Sequence, residues 1–267
     1  MALTHNSAPP PAPPATARPG PMMKLAVTTG IQQMPQRIGL FGPGGIGKTT
    51  LATSLASVGK RPLIVDLDRG SHHLDARRIS NVASWSDLRT ALADTRVWTD
   101  YDFVVIDSLT KAQDLCAASI MQAERVKSLE FAGGGYGKGY RFLYENMLSL
   151  LDDLDRHVRD GRNVLLIMHE FVAKVPNPMG TDFIRFEPNL YAADKVSVRH
   201  RVKEWLDHLF FVGYDVFAKD GKAKGSGTRT IYPQEMPTHW AKSRKLSAPI
   251  PFTSASDSSV WNQLFSS

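Results

Sequence analysis

Apolar positions in this chain fall into blocks with two spacings. Short apolar runs stand at Ile38–Phe41, Leu63–Leu67 (broken once, at Asp66), Phe103–Ile106 and Val164–Met168. Runs of that length without alternation read as strands buried on both faces. Between them the spacing changes to that of helices. Leu51, Leu55 and Val58 lie three and four apart across Thr49–Val58. Leu88 and Leu92 follow a Ser start at Ser84 in a helix ending near Asp94. Residues 109–130 read as a further helix. Leu143, Met147, Leu150, Leu151, Leu154 and Val158 line one side of a long amphipathic helix that begins at Tyr140. Strands alternating with helices predict an α/β fold with a mostly parallel central sheet flanked by helices.

The strand ends carry the polar residues. Asp66 and Asp68 close the second run, Asp107 closes the Phe103–Ile106 run, and His169 closes Val164–Met168. Ligands of open α/β sheets bind at the carboxyl ends of the strands, so these are the candidate site residues.

The first strand runs into Gly42-Pro43-Gly44-Gly45-Ile46-Gly47-Lys48-Thr49-Thr50, which fills every fixed position of G-x-x-x-x-G-K-[ST]. Glycines let successive backbone N–H groups turn inward around a phosphate, and the helix that follows points its positive end at the same charge. Lys48 can reach the β- and γ-phosphates of a nucleoside triphosphate, and the Thr49 hydroxyl can ligate the accompanying Mg²⁺. Asp107, at the tip of a buried strand, is the matching Walker B acid on the same metal. His169 is placed to sense the γ-phosphate and relay its loss to the segment beyond.

Beyond these elements the pattern is less regular. Residues 24–37 read as a short leading strand or hairpin. Residues 133–140 interrupt two helices with five glycines, Tyr136, Tyr140 and Lys138, a composition suited either to stacking on bases or to a mobile linker. Residues 171–187 alternate around Pro176–Gly180 and predict a hairpin made basic by Lys174 and Arg185. Asp194–Trp205 reads as a basic helix. Leu209–Val216 reads as a core strand joined through a basic Gly-rich turn, 219–227, to a strand at Thr228–Tyr232.

Composition narrows the class. Of the 267 residues, 42% are hydrophobic, ample for one core, and no run of apolar residues is long enough to span a membrane. No charged segment followed by an apolar one marks a signal peptide, and one cysteine, Cys116, allows no internal disulfide, so a cytoplasmic protein is expected. The net charge of +6 leans towards a polyanionic partner. Residues 1–23 are rich in Pro, Ala, Ser and Thr and are expected to stay disordered; the catalytic domain is expected over 24–250, with 251–267 as a C-terminal tail.

The ordered set FGPGGIGKTTLA, LIVDLDRGS, YDFVVIDSLT, GGYGKGY, LLIMHE and WAKSRK resembles the phage and prophage RecA-core P-loop ATPases described as AAA-type ATP-binding proteins, a group that includes short single-strand annealing recombinases. The resemblance covers about residues 37–250. It implies a RecA-like fold with C-terminal antiparallel strands, ATP and Mg²⁺ as ligands, and ATP hydrolysis coupled to single-stranded DNA in recombination or replication. It implies a homo-oligomeric ring or filament, a single-strand-binding protein or other replication protein as partner, and the bacterial host cytosol as location if the gene is a phage's. Asp68 stands where relatives place a catalytic Glu that orients the attacking water. Asp is one methylene shorter, which leaves Asp66 as the competing candidate. Lys242 and Arg244 resemble the K-x-R pair that reaches a neighbouring subunit's γ-phosphate. Two other classes use the same loop: a small-molecule or nucleotide kinase, and a nucleotide-switched helicase loader or scaffold.

Overall fold

The computed structural model describes residues 27–219, 222–254 and 257–266. The chain divides into Met1–Gln33 and Met34–Ser267. In the first unit the described residues 27–33 form no regular structure, and the Gln32 amide donates to the Thr29 carbonyl at 3.0 Å. The leading strand or hairpin expected over 24–37 is absent from 27–36. Val27 and Ile31 are almost fully exposed, so this stretch has no apolar face to set against a sheet. Residues 1–23, expected to be disordered, lie outside the described residues.

The second unit contains the strands β1 (Arg37–Gly42), β2 (Pro62–Asp66), β3 (Arg78–Ile79), β4 (Phe103–Asp107), β5 (Asn163–Val175), β6 (Phe183–Pro188), β7 (His208–Lys219), β8 (Lys222–Tyr232) and β9 (Ile250–Pro251). Among the described residues they form one sheet in the order β3-β2-β4-β5-β1-β7-β8-β9, with β6 paired to β5. From β3 to β7 the neighbours are parallel; β8, β9 and β6 add antiparallel pairings. This is the α/β architecture, mostly parallel with C-terminal antiparallel strands, that the RecA-like resemblance implies.

The helices are α1 (Lys48–Thr53), α2 (Trp85–Ala93), α3 (Leu109–Ala123), α4 (Lys138–Arg159), α5 (Val198–Trp205) and α6 (Ser259–Phe265). They cover both faces of the sheet. Ile38, Leu40, Val105, Leu165 and Ile167 pack with Leu51 and Leu55 of the α1 segment and with Trp261 and Leu264 of α6. The alternate residues, Phe41, Val104, Ile106, Leu166 and Met168, pack against α2, α3, α4 and α5. Burial on both faces is why these strands read as unbroken apolar runs. None of the described helices is long and apolar enough to cross a membrane.

Several expected boundaries move. The helix expected over 49–58 is α-helical only to Thr53 and tightens to a 3-10 turn over Ser54–Val58. Ser54 and Ser57 donate their hydroxyls to the carbonyls of Leu51 and Ser54, and the Trp261 indole N–H also binds the Leu51 carbonyl at 2.8 Å. Side-chain bonds of this kind compete with the α-helical ladder. The helix expected over 109–130 stops at Ala123. Arg125 takes a left-handed conformation, and a separate 3-10 segment, Leu129–Gly134, starts at a Ser128 cap. The helix expected over 194–205 begins at Val198, where the Ser197 hydroxyl accepts from the His200 amide. The hairpin expected over 171–187 is β5 paired with β6. The Gly-rich turn expected over 219–227 is shorter, because β7 runs to Lys219 and β8 starts at Lys222; residues 220 and 221 lie outside the described residues. Within the segment set apart as a tail, 251–267, Phe252 and Trp261 are buried in the core, and Trp261 fills the space beneath α1.

Candidate functional site

The glycine-rich segment Gly42–Thr50 links β1 to α1, and Gly42, Gly45 and Gly47 each answer a local demand. A Cβ on Gly42 would stand 2.1 Å from the Val212 carbonyl oxygen of β7, so nothing larger fits there. Gly45 and Gly47 take positive φ, 75° and 105°, the region open to glycine at no steric cost. Nothing stands within 4 Å of a Cβ built on Gly44 or Gly45, which leaves that side of the loop open to a ligand.

Lys48 is buried, and its ammonium donates to the carbonyls of Gly42 at 2.7 Å and Pro43 at 2.8 Å. Burial lowers its pKa, opposed by the charges of Asp107, Glu170 and Asp68. The Thr49 hydroxyl donates to Oδ2 of Asp107 at 2.6 Å. Burial pushes the Asp107 carboxyl up to about 6; Thr49 and Lys48 pull it down, and Asp68 and Asp66 raise it further. A hydroxyl and a buried carboxylate converging at this distance are the hard oxygen donors that suit Mg²⁺.

Sheet register brings the other tips alongside. Asp66 pairs with Asp107 across β2 and β4, and Gly42 pairs with His169 across β1 and β5. The Asp107 carbonyl accepts from the amides of Leu67 and Asp68 at 2.7 and 3.2 Å, and the Asp107–Ser108 peptide is cis. Asp66 and Asp68 then diverge. Asp66 is buried, and its carboxylate accepts from the amides of Gly70 and Ser71 and from the Ser71 hydroxyl, holding the turn that follows β2. Asp68 is partly exposed and its Oδ2 lies 3.3 Å from Nε2 of His169. Burial works against its charge, but hydrogen bonds from His169 and Ser108 and the charges of His169 and Lys111 hold its carboxyl below the usual range. The His169 amide donates to the Thr110 hydroxyl at 3.1 Å, tying the tip of β5 to the start of α3.

Two residues at the site carried no expectation. Glu170 follows His169; its Oε2 is buried without a hydrogen-bond partner among the described residues, and burial raises its pKa. An acid directly after a strand-tip His was the available signal. Arg229 of β8 donates from Nη1 to the Ile46 carbonyl at 2.9 Å, a contact across 183 positions that no local pattern announces.

The structure does not bring Lys242 and Arg244 to the loop of their own chain. The Lys242 ammonium donates to the carbonyls of Lys203, Glu204 and Leu206, where it closes the carboxyl end of α5. Arg244 has a 71% exposed side chain and pairs with Asp207 at 3.2 Å. Asp207 also accepts from the Arg37 amide at the start of β1, about 16 Å of strand from Gly42. The expected nucleic-acid elements are mixed. Tyr136 is fully exposed, whereas Tyr140 stacks on Tyr191 at 4.7 Å. On the β5–β6 hairpin Phe171, Val172 and Ile184 are exposed, but Lys174 pairs with Asp182 and Arg185 with Glu187. In the basic helix, Arg199 is buried against Glu187 and the Leu190 carbonyl rather than solvated. Cys116 is buried, as expected of a small packing residue.

Comparison with known proteins gives one broad match and several distant ones. No curated protein matches the chain. Among solved structures, the chain is similar to a KaiC-like protein from the hyperthermophilic archaeon Pyrococcus horikoshii, at 14% identity over 82% of this chain and 85% of that one, with a TM-score of 0.43. It is also similar to the RadB recombinase, at 15% identity over 74% of this chain and 80% of that one, with a TM-score of 0.41. The family model described as an AAA domain, AAA_24, matches residues 34–245, which takes in the phosphate-binding loop and every strand tip described above. With most of its length matched by that model, the chain belongs to the AAA_24 family of P-loop NTPase domains.

Proposed function

We propose that the protein is a Mg²⁺-dependent ATPase that acts on single-stranded DNA in recombination, as in annealing, or in replication, and that it works as a ring or filament of identical subunits. The observation that carries the ATPase reading is the 2.6 Å contact between Thr49 and Asp107, which joins the two halves of a metal–triphosphate site. The amides of Gly44–Thr49 hold the phosphates. Lys48 exchanges its two backbone carbonyls for phosphate oxygens. Thr49 and Asp107 would hold Mg²⁺, which when bound would supply positive charge against the triphosphate. Asp68, held by His169, orients the water that attacks the γ-phosphate in line; Asp66 is occupied with the Gly70–Ser71 turn. His169 reports the γ-phosphate to the β5–β6 hairpin, because both lie on one continuous strand.

The exposed apolar residues of that hairpin and the net charge of +6 support single-stranded DNA as the polymer. Arg244 is the side chain offered to a neighbouring subunit, while Lys242 serves its own helix. ATP turnover measured with and without single-stranded DNA tests the reading. Turnover that requires Mg²⁺, is lost in Lys48→Ala and rises with DNA is expected. A rate indifferent to DNA, with no shift of a labelled oligonucleotide, removes the DNA part; transfer of the phosphoryl group to an added small acceptor would make the protein a kinase instead. Mixing Arg244→Ala with Lys48→Ala subunits is expected to restore part of the turnover that each lacks.

A further inference from the structure

We infer that Arg229 is a positioning residue of the phosphate-binding loop, reaching it from the antiparallel arm of the sheet. Its Nη1 donates to the Ile46 carbonyl at 2.9 Å, and its guanidinium lies over the Phe252 ring, 4.3 Å from the centroid. The two residues are joined through the backbone as well, since the Phe252 amide donates to the Arg229 carbonyl at 2.8 Å. Phe252 is buried, so the plane on which the guanidinium rests is fixed by the core. The pair forms the outer wall of the loop: a Cβ on Gly47 would stand 3.0 Å from Nη1 and 3.1 Å from Phe252 Cε1.

The consequence follows from peptide geometry. Ile46 lies between Gly45 and Gly47, both at positive φ, so each peptide that flanks it meets a glycine on one side, where rotation is easier than between two side chains, while the buried Ile46 side chain anchors the other. In a trans peptide the C=O and the following N–H point in opposite directions. Holding the Ile46 carbonyl outward on Arg229 therefore aims the Gly47 amide inward, at the phosphate position. A charge-assisted bond is strong enough to select that orientation. The selected amide serves a phosphate that nucleoside diphosphates and triphosphates share, so Arg229 governs affinity for both and touches neither directly.

The inference rests on the proposed reading of Gly42–Thr50 as a nucleotide site, and the test separates the two. Binding of fluorescent ATP and ADP analogues to the full chain is measured for the wild type, Lys48→Ala, Arg229→Met and Arg229→Lys, with KM and kcat for ATP and a melting temperature for each. Arg229→Met is expected to weaken both nucleotides by roughly tenfold and to raise KM by a similar factor, with kcat at saturation little changed. Arg229→Lys keeps one charged donor but not the stacked plane, and is expected to fall between the two. Wild-type protein that binds neither nucleotide overturns the nucleotide reading and the inference together. Binding by wild type, loss in Lys48→Ala and undiminished affinity in Arg229→Met overturn the inference alone. A fall in kcat at unchanged KM also overturns it, because it would place Arg229 in the chemical step. Should Arg229→Met fail to fold, Arg229→Lys and Phe252→Leu decide: each loosens the guanidinium, and unchanged KM in both refutes the role.

Discussion

His208 makes the protein's stability depend on pH in a way that can be worked out from its contacts. It is the first residue of β7 and is 1% exposed. Its Nε2 faces Gln36 Oε1 at 2.9 Å and its Nδ1 faces the Ser243 hydroxyl at 2.8 Å. The Ser243 oxygen already accepts from the amides of Lys245 and Leu246, so its own proton is free to go to Nδ1. The network suits a neutral imidazole with its proton on Nε2, and a second proton would have no acceptor. Burial pushes the His208 pKa down to about 4; Asp207 opposes this, and the cations of Arg244, Lys242 and Lys245 add to it. In the unfolded chain the group takes up a proton near pH 6.5. Between those values the unfolded state binds more protons, so stability falls as pH drops, by about 2 kcal/mol at pH 5 and about 3 kcal/mol once pH is below 4. Urea unfolding of wild type and His208→Gln at pH 7.5 and pH 5 isolates this share from that of other acids. The variant is expected to be the less stable at pH 7.5, with the gap closing by about 2 kcal/mol at pH 5. A gap that stays constant across that interval would refute the buried neutral imidazole.

The other predictions concern the site and its supports. Asp107→Asn removes a buried charge whose carboxyl is raised to about 6; without ligand it is expected to stabilise the protein at pH 8 by up to about 3 kcal/mol. That gain should shrink as pH falls from about 6 towards 4, while Mg²⁺-dependent turnover disappears; thermal melts across pH check the first and phosphate release the second. Trp261→Phe keeps one aromatic ring but loses the pyrrole ring with the N–H that binds the Leu51 carbonyl and the Ser54 hydroxyl, and is expected to cost about 2–3 kcal/mol in denaturant melts. Trp261→Ala empties the space beneath α1 and should cost about 3–5 kcal/mol. Lys242→Met uncaps α5 and should lower the melting temperature, whereas Arg244→Ala removes a largely exposed pair worth about 0–1 kcal/mol. Arg244→Ala should therefore leave the melt unchanged and act on turnover alone.

The legible parts of the chain were those whose meaning is local. Gly42–Thr50 is nine consecutive residues, and at the two glycines that the motif fixes, Gly42 and Gly47, the structure shows a stereochemical demand that glycine meets. The strands β1, β2, β4 and the first half of β5 announce themselves because burial on both faces excludes polar residues from a short run. The long helix α4 is announced by six apolar side chains at helical spacing. Where a boundary depended on a contact from elsewhere, the pattern misled. Leu55 and Val58 look like a continuation of α1, but the bond from Trp261 takes the carbonyl that the next helical turn would use. Arg199 reads as part of a basic surface because nothing near it in the chain shows Glu187 beneath it.

The amino-acid order therefore settled the class of fold and marked out Gly42–Thr50 and the acid that faces it, all of which are properties of contiguous segments. Folding gave Asp66 and Asp68 different partners, the turn at Gly70–Ser71 for the first and His169 for the second. It buried Phe252 and Trp261, from the segment set apart as a tail, in the core, and it set Arg229 against Ile46. It also drew Lys242 onto the end of α5. In each case the deciding contact joins groups whose proximity comes from the register and crossing of strands, which no window along the chain contains.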